Sequence, residues 1–407
     1  MIREPPAVDP RTVGLRLQEA RKARALTQQD VAEQLGLART TVVAIEKGER
    51  AVQPDELVRL AELYGRPVHE LLRQREPLVD FAVQFRSSLD QRGLHAPEVT
   101  AAIEELQRLS EDYLELEELR RAPLPRRYPP PFEIGVGVPA EQAAEDAATG
   151  ERNRLGLGDG PIPNLREVLE NDVGLRIFAL GLPPKVAALL GYTDRVGGCI
   201  AVNADHPAER QWWSLAHEYG HFLTRRYQAD VMVLRAYRRV PAAERFADAF
   251  ARCFLMPPAG LSRRFNELKR SRGGQVFPAD LVKLQHFYHV SFEALVRSLE
   301  ASGMLKGGTY EDLIDRGFKV REAQRILGLQ PEAPTTDTVP LRYKLLAAEA
   351  LQTGQITQGQ FARFVRLDLI EARELYESLR EYPRLTEEGE LDAVGLDLGE
   401  PLASPRG

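Results

Sequence analysis

Two imidazoles four residues apart, His217 and His221, with Glu218 directly after the first, limit what this chain can be more than any other stretch of it. On an α-helix, side chains at i and i+4 leave the same face one turn apart, so both rings reach one ion only if Leu215–Phe222 is helical. Neutral imidazole suits Zn²⁺, which in catalytic sites takes three protein ligands and keeps a place for water. Glu218 stands where it can accept that water's proton. With 7 histidines in 407 residues, a chance H-E-x-x-H arises about one time in a hundred.

A third ligand must come from another element, and the next long helical pattern supplies one. Around Ala243–Ala251, the residues Phe246, Ala249, Phe250 and Cys253 make an apolar stripe, while Glu244 and Asp248 stand one turn apart on a different face. Glu244 is expected to coordinate. Asp248 is expected to accept a ring N–H from one ligating histidine and so fix its tautomer. This gives one Zn²⁺ per chain, held by His217, His221 and Glu244, with Glu218 as catalytic base. Chemistry of this kind also wants a donor for the tetrahedral oxyanion. Tyr227, Tyr237 and His206 are candidates, and the residues do not choose between them. His286 and His289 read as packing a helix end.

A second motif lies near the N-terminus. Thr27 is a good N-cap for a helix over Gln28–Leu35, Gly36 permits a left-handed corner, and a helix over about Arg39–Lys47 ends at Gly48. Val31, Ala32 and Leu35 would pack one helix, and Val42 and Ile45 the next. The stretch Leu26–Arg50 is similar to the Cro/repressor class of helix-turn-helix domains. That likeness leaves Arg39, Thr40, Thr41, Ala44 and Lys47 facing base edges and phosphates, with Gln28 on a phosphate. Ala38 stands where a Ser or Thr cap is usual, at a cost of about 1 kcal/mol. Residues 11–50 hold eight Lys/Arg against five Asp/Glu, whereas the whole chain carries −6. So little positive charge predicts weak binding by a monomer, and a homodimer on operator DNA is expected.

Five segments follow from composition and pattern: a five-helix head at 11–75, a helical connector with a proline-rich linker at 76–139, and the metal-bearing domain at 140–330. A helical group at 331–383 and a disordered tail at 384–407 complete the chain. The fold class is mainly α with a small β-sheet (α+β), the strands falling at Leu175–Leu180, Ala187–Tyr192 and Cys199–Asn203. The Pro123–Pro131 run reads as a semi-extended linker. Two distant cysteines, Cys199 and Cys253, sit in apolar runs and build neither a disulfide framework nor a thiolate zinc site. With no signal peptide and no apolar run of roughly 20 residues, a cytoplasmic protein with no membrane association is expected.

His217–His221, the run Glu244–Ala251 followed by Leu255-Met256-Pro257, the glycine-rich Leu155–Ile162 and Ile200–Asn203 occur in that family's manner: together they resemble the ImmA/IrrE metallopeptidases over roughly 140–300. That family usually has Leu where Tyr219 stands and often Asn where Asp248 stands; neither position is a metal ligand. The resemblance implies a zincin-like domain that cleaves a small helix-turn-helix repressor or antitoxin, inducing stress-response or phage-related genes. The competing reading is a helix-turn-helix transcription factor, or an antitoxin-like interaction protein, whose zinc is structural or sensory without turnover. A purely structural site would be closed by a fourth protein ligand and needs no Glu218. The 341–380 group, or the charged helices at 78–122, is a candidate sensor for a nucleic-acid activator.

Overall fold

Thr27 caps its helix as its position suggested: its Oγ1 accepts from the Asp30 amide at 3.1 Å, and Asp30 Oδ2 accepts from the Thr27 amide at 2.7 Å. That reciprocal pair starts α2 (Gln28–Leu35), and Gly36 ends it at φ 68°. A computed structural model provides these coordinates; it describes residues 10–24, 26–65, 68–71, 81, 84, 85, 89, 97–233, 241–330, 332–385 and 391–395. The chain divides into two compact units, Met1–Leu78 and Val79–Gly407.

The first unit packs α1 (Pro10–Ala23), α2, α3 (Arg39–Glu46), α4 (Pro54–Tyr64) and α5 (Val68–Leu71) around Leu17, Val31, Leu35, Val42, Ile45 and Leu60. Gly14 lets α1 cross α3 closely, since a Cβ there would meet Ile45 O at 2.4 Å. Buried Arg21 forks onto buried Glu46 at 2.6 and 3.1 Å. Ala38 has the extended backbone of a cap (φ −72°, ψ 142°) but no side-chain bond. Ala38→Ser is therefore expected to raise stability by about 0.5–1 kcal/mol, read as a higher urea midpoint; an unchanged midpoint would show that the cap is not limiting.

The second unit is α+β. Its four-stranded sheet runs β1-β3-β2-β4, with β1 (Arg176–Leu180) parallel to β3 (Gly197–Asn203), and β2 (Val186–Thr193) antiparallel to both β3 and β4 (Asp230–Val233). Every residue of β1 and β3 is buried, which explains why these strands read as continuous apolar runs without alternation. Two helices lie at the heart of the unit: the histidine helix, Ala208–Arg225, and the acid helix, Ala242–Leu255. The Leu165–Glu167 turn widens into i→i+5 spacing over Val168–Val173.

The glycine-rich stretch wraps an arginine. Buried Arg152 donates to Gly158 O at 2.8 Å, Gly160 O at 2.5 Å and Phe254 O at 2.5 Å, tying that loop to the acid helix's end. Asn203, fully buried, donates to Leu182 O at 3.1 Å and Val186 O at 2.9 Å, and Gln211 donates back to Asn203 O at 3.0 Å. The β1–β2 loop, the ends of the central strands β2 and β3, and the start of the histidine helix are thereby joined.

The proline-rich run expected as a free linker is instead an anchored strap. Arg127 N donates to Val173 O at 2.9 Å, Phe132 N to Leu223 O at 2.7 Å, and Tyr128 bridges Gly174 O (2.9 Å) and the Gly198 amide (3.1 Å). Prolines give the extended backbone, while Leu124 and the Tyr128 ring against Phe222 give it something to bury. The Pro97–Arg120 helix is held between sheet and C-terminal helices: Glu117 meets Arg176 at 2.7 Å and Arg342 at 3.2 Å. Arg366 reaches Glu105 at 2.9 Å and Asp112 at 3.0 Å. Where a disordered tail was expected from 384 on, β5 (Glu381–Leu385) pairs antiparallel with β6 (Leu391–Gly395). Among the described residues no helix is long and apolar enough to cross a membrane.

Candidate metal centre

Gly220 is what lets the two central helices approach. A Cβ there would meet Ala247 Cα and the Phe250 ring, each at 3.2 Å, so the small residue lets the helices close and brings Glu244 up to the histidines. His217 Nε2 lies 3.4 Å from Glu244 Oε2, and His221 Nε2 lies 3.6 Å from Glu244 Oε1. One ligand atom from each of the three residues falls within 4.8 Å of the others. Atoms that share one ion at roughly 2.1 Å stand at about such spacings.

Asp248 Oδ1 lies 2.9 Å from His217 Nδ1, the contact expected of it. With Nδ1 held by Asp248, Nε2 is the ring nitrogen that faces Glu244. Tyr219, fully buried, uses its hydroxyl: it donates to Glu151 Oε2 at 2.5 Å, and Arg154 grips the same carboxylate at 2.7 Å. A leucine could not make that link between the histidine helix and the Ala140–Arg154 helix.

Glu218 is fully buried, and neither of its oxygens has a hydrogen-bond partner among the described residues. Burial, reinforced by the negative charge of Asp230, pushes its carboxyl above the usual carboxylate range. Burial pulls His221 down to about 4. For His217, burial works against the charged ring, but Asp248 and Glu244 outweigh it and raise the group to about 10. Glu244 is also opposed by burial, yet the two imidazoles hold it well below the usual carboxylate range. Two imidazole nitrogens, a carboxylate and an orphaned buried carboxylate make a donor set that fits a divalent cation.

Two residues at this centre escaped the sequence reading. Arg225 Nη2 lies 3.2 Å from His221 Nε2 and 3.4 Å from Glu244 Oε1, and Asp230 Oδ2 lies 3.6 Å from His221 Nε2. Helical periodicity carried a signal for Arg225: at roughly 100° per residue, His217, Glu218, His221 and Arg225 fall on one face. Asp230 sits on β4, a four-residue strand too short to announce itself. Among the donor candidates, Tyr227 is 70% exposed against Tyr192, His206 contacts Pro184 O at 3.2 Å, and Tyr237 lies outside the described residues.

On the head, Arg39, Thr40 and Lys47 are exposed and Thr41 and Ala44 half-buried along α3. Gln28 differs from expectation: its side-chain amide donates to Glu46 at 2.8 Å, completing the buried Arg21 pair rather than pointing free for a phosphate.

Residues 170–300 match the peptidase M78 family, described as the IrrE N-terminal-like domain, and residues 17–71 match a helix-turn-helix family. A stretch of 65 residues is 32% identical to the cryptic phage CTXphi transcriptional repressor RstR of Vibrio cholerae, covering 16% of this chain and 59% of that protein. The chain thus spans less than two thirds of that relative's length. Two solved structures align at 12% identity: PlcR of Bacillus thuringiensis in complex with the peptide PapR7 and DNA (90% of this chain, 94% of that one, TM-score 0.19), and the apo form of ComR from S. thermophilus (91%, 92%, 0.16). Scores that low carry nothing about this fold.

Proposed function

For a chain that joins a helix-turn-helix domain to a peptidase M78 domain, we propose zinc-dependent endopeptidase activity against a helix-turn-helix repressor or antitoxin, with operator binding through the head. The observation that carries it is Glu218: a carboxylate buried without a partner beside two imidazoles and a third donor. Such a group is costly to keep unless it has a task. The structural-zinc alternative is less favoured, since among the described residues three ligand atoms, not four, gather within 4.8 Å.

His217, His221 and Glu244 would hold the zinc. Bound there, zinc polarises water and the substrate carbonyl. Glu218 accepts the water's proton and later delivers it to the leaving amine, and Asp248 holds the His217 ring in its working tautomer. A cavity of about 1420 Å³ opens beside Asp248, lined by Trp213, Met232, Ala249 and Arg252 among others. None of His217, Glu218, His221 and Glu244 lines it.

The test is incubation of the zinc-loaded protein with the helix-turn-helix protein encoded beside it, with and without a chelator, read by mass spectrometry. Cleavage that the chelator abolishes is expected; an intact partner in both arms overturns the proposal. For the head, Arg39→Ala and Lys47→Ala should each weaken binding to the upstream DNA by about 5- to 100-fold with zinc content unchanged. Anisotropy titrations in which both variants match the wild type would remove α3 from the interface.

A further inference from the structure

The zinc reading leaves Arg225 without a task, although it makes the closest cationic contacts to the ligand cluster among the described residues. It is the last residue of the histidine helix, one turn beyond His221. Its Nη2 lies within 3.2–3.7 Å of His221 Nε2, Glu244 Oε1 and Asp230 Oδ2, and its Nε is 3.1 Å from His221 Nδ1. The side chain is 26% exposed, so it reaches the cluster from a solvent-open rim, while Asp230, 6% exposed, steadies it from below. A guanidinium carries five N–H donors in a rigid fork, more than these neighbours can absorb.

We propose that Arg225 is a catalytic residue that donates to the oxyanion of the substrate. The proposal rests on the peptidase reading above. When water adds to the scissile carbonyl, its oxygen bonds to the carbonyl carbon, its proton passes to Glu218, and the C=O π pair moves onto the carbonyl oxygen. That oxygen then carries a full negative charge, which a fixed cation with free N–H groups stabilises far more than it does the neutral carbonyl. Collapse returns the pair to the carbonyl, the C–N bond breaks, and nitrogen takes its electrons together with the proton from Glu218. Of the other donors considered, Tyr227 packs its ring on Tyr192, His206 contacts Pro184 O, and Tyr237 lies outside the described residues. Asp230 is a positioning residue in this scheme.

The experiment uses zinc-loaded full-length protein as wild type, Arg225→Lys and Arg225→Met, with phenylphosphonate as a tetrahedral oxyanion probe. Zinc per chain is measured by mass spectrometry and probe affinity by calorimetry. All three proteins are expected to hold zinc. Arg225→Met should bind the probe about 10²-fold more weakly, with Arg225→Lys between the two. Equal probe affinity in the wild type and either variant overturns the role of Arg225 alone. Zinc loss from both variants while they stay folded by circular dichroism also overturns it, making Arg225 a support for the ligands. A wild type that holds no zinc fails the peptidase reading itself, and this proposal with it.

Discussion

Glu218→Gln is expected to keep its zinc and lose hydrolysis by about 10²–10⁴-fold, the contribution of a positioned general base. The substitution preserves size and the buried surroundings, and it leaves His217, His221 and Glu244 untouched. What it removes is the ability to accept a proton. Metal content and cleavage must therefore separate: the first stays at the wild-type level while the second collapses. His217→Ala, by contrast, removes a ligand and should lose both together. A Glu218→Gln protein that cleaves as fast as the wild type would falsify the assignment of this residue as the base.

The second large effect concerns stability. Arg176 and Glu117, with side chains 1% and 2% exposed, meet at 2.7 Å between the sheet and the Pro97–Arg120 helix. Glu117→Ala leaves a guanidinium buried without its carboxylate, which typically costs 3–5 kcal/mol or about that order. Arg342, 3.2 Å from the same carboxylate, loses that ion pair as well and keeps Tyr113 and Ala122 O. Replacing both members, as in Arg176→Met with Glu117→Leu, should recover much of the loss, because neither charge then needs solvation. Urea unfolding of the two variants checks this. A cost below about 1 kcal/mol for the single substitution would mean that water reaches the pair.

Local chemistry is what the sequence made legible. Caps, corners and the i, i+4 histidine spacing depend on residues a few positions apart, so Thr27, Gly36 and His217–His221 are found where the pattern puts them. Glu244 and Asp248 were readable because two acids one turn apart stand on a different face from the apolar stripe. Contacts across the chain were not. Gln28 looked available for a phosphate because nothing in its neighbourhood reveals Glu46, 18 residues on. The Pro123–Pro131 strap looked like a linker because prolines signal extended backbone, not what that backbone lies against. Strand β4 has four residues, too few for any period to emerge. Arg225 was within reach, since helical spacing alone aligns it with His221.

The clasp between the Pro97–Arg120 helix and the C-terminal helices bears on how this protein is made. Glu117 waits for Arg342, 225 residues later, and Asp112 for Arg366, 254 residues later. At roughly 5–20 residues per second, a ribosome needs on the order of ten to fifty seconds to deliver those partners. Throughout that interval the helix has emerged with Glu117 and Tyr113 uncovered on the side that Arg342 and Tyr343 will later occupy. The second unit therefore cannot be completed in the order in which it is synthesised. The Pro97–Arg120 helix is covered late, and a nascent chain stalled before residue 341 would display that face to whatever chaperone stands at the tunnel exit.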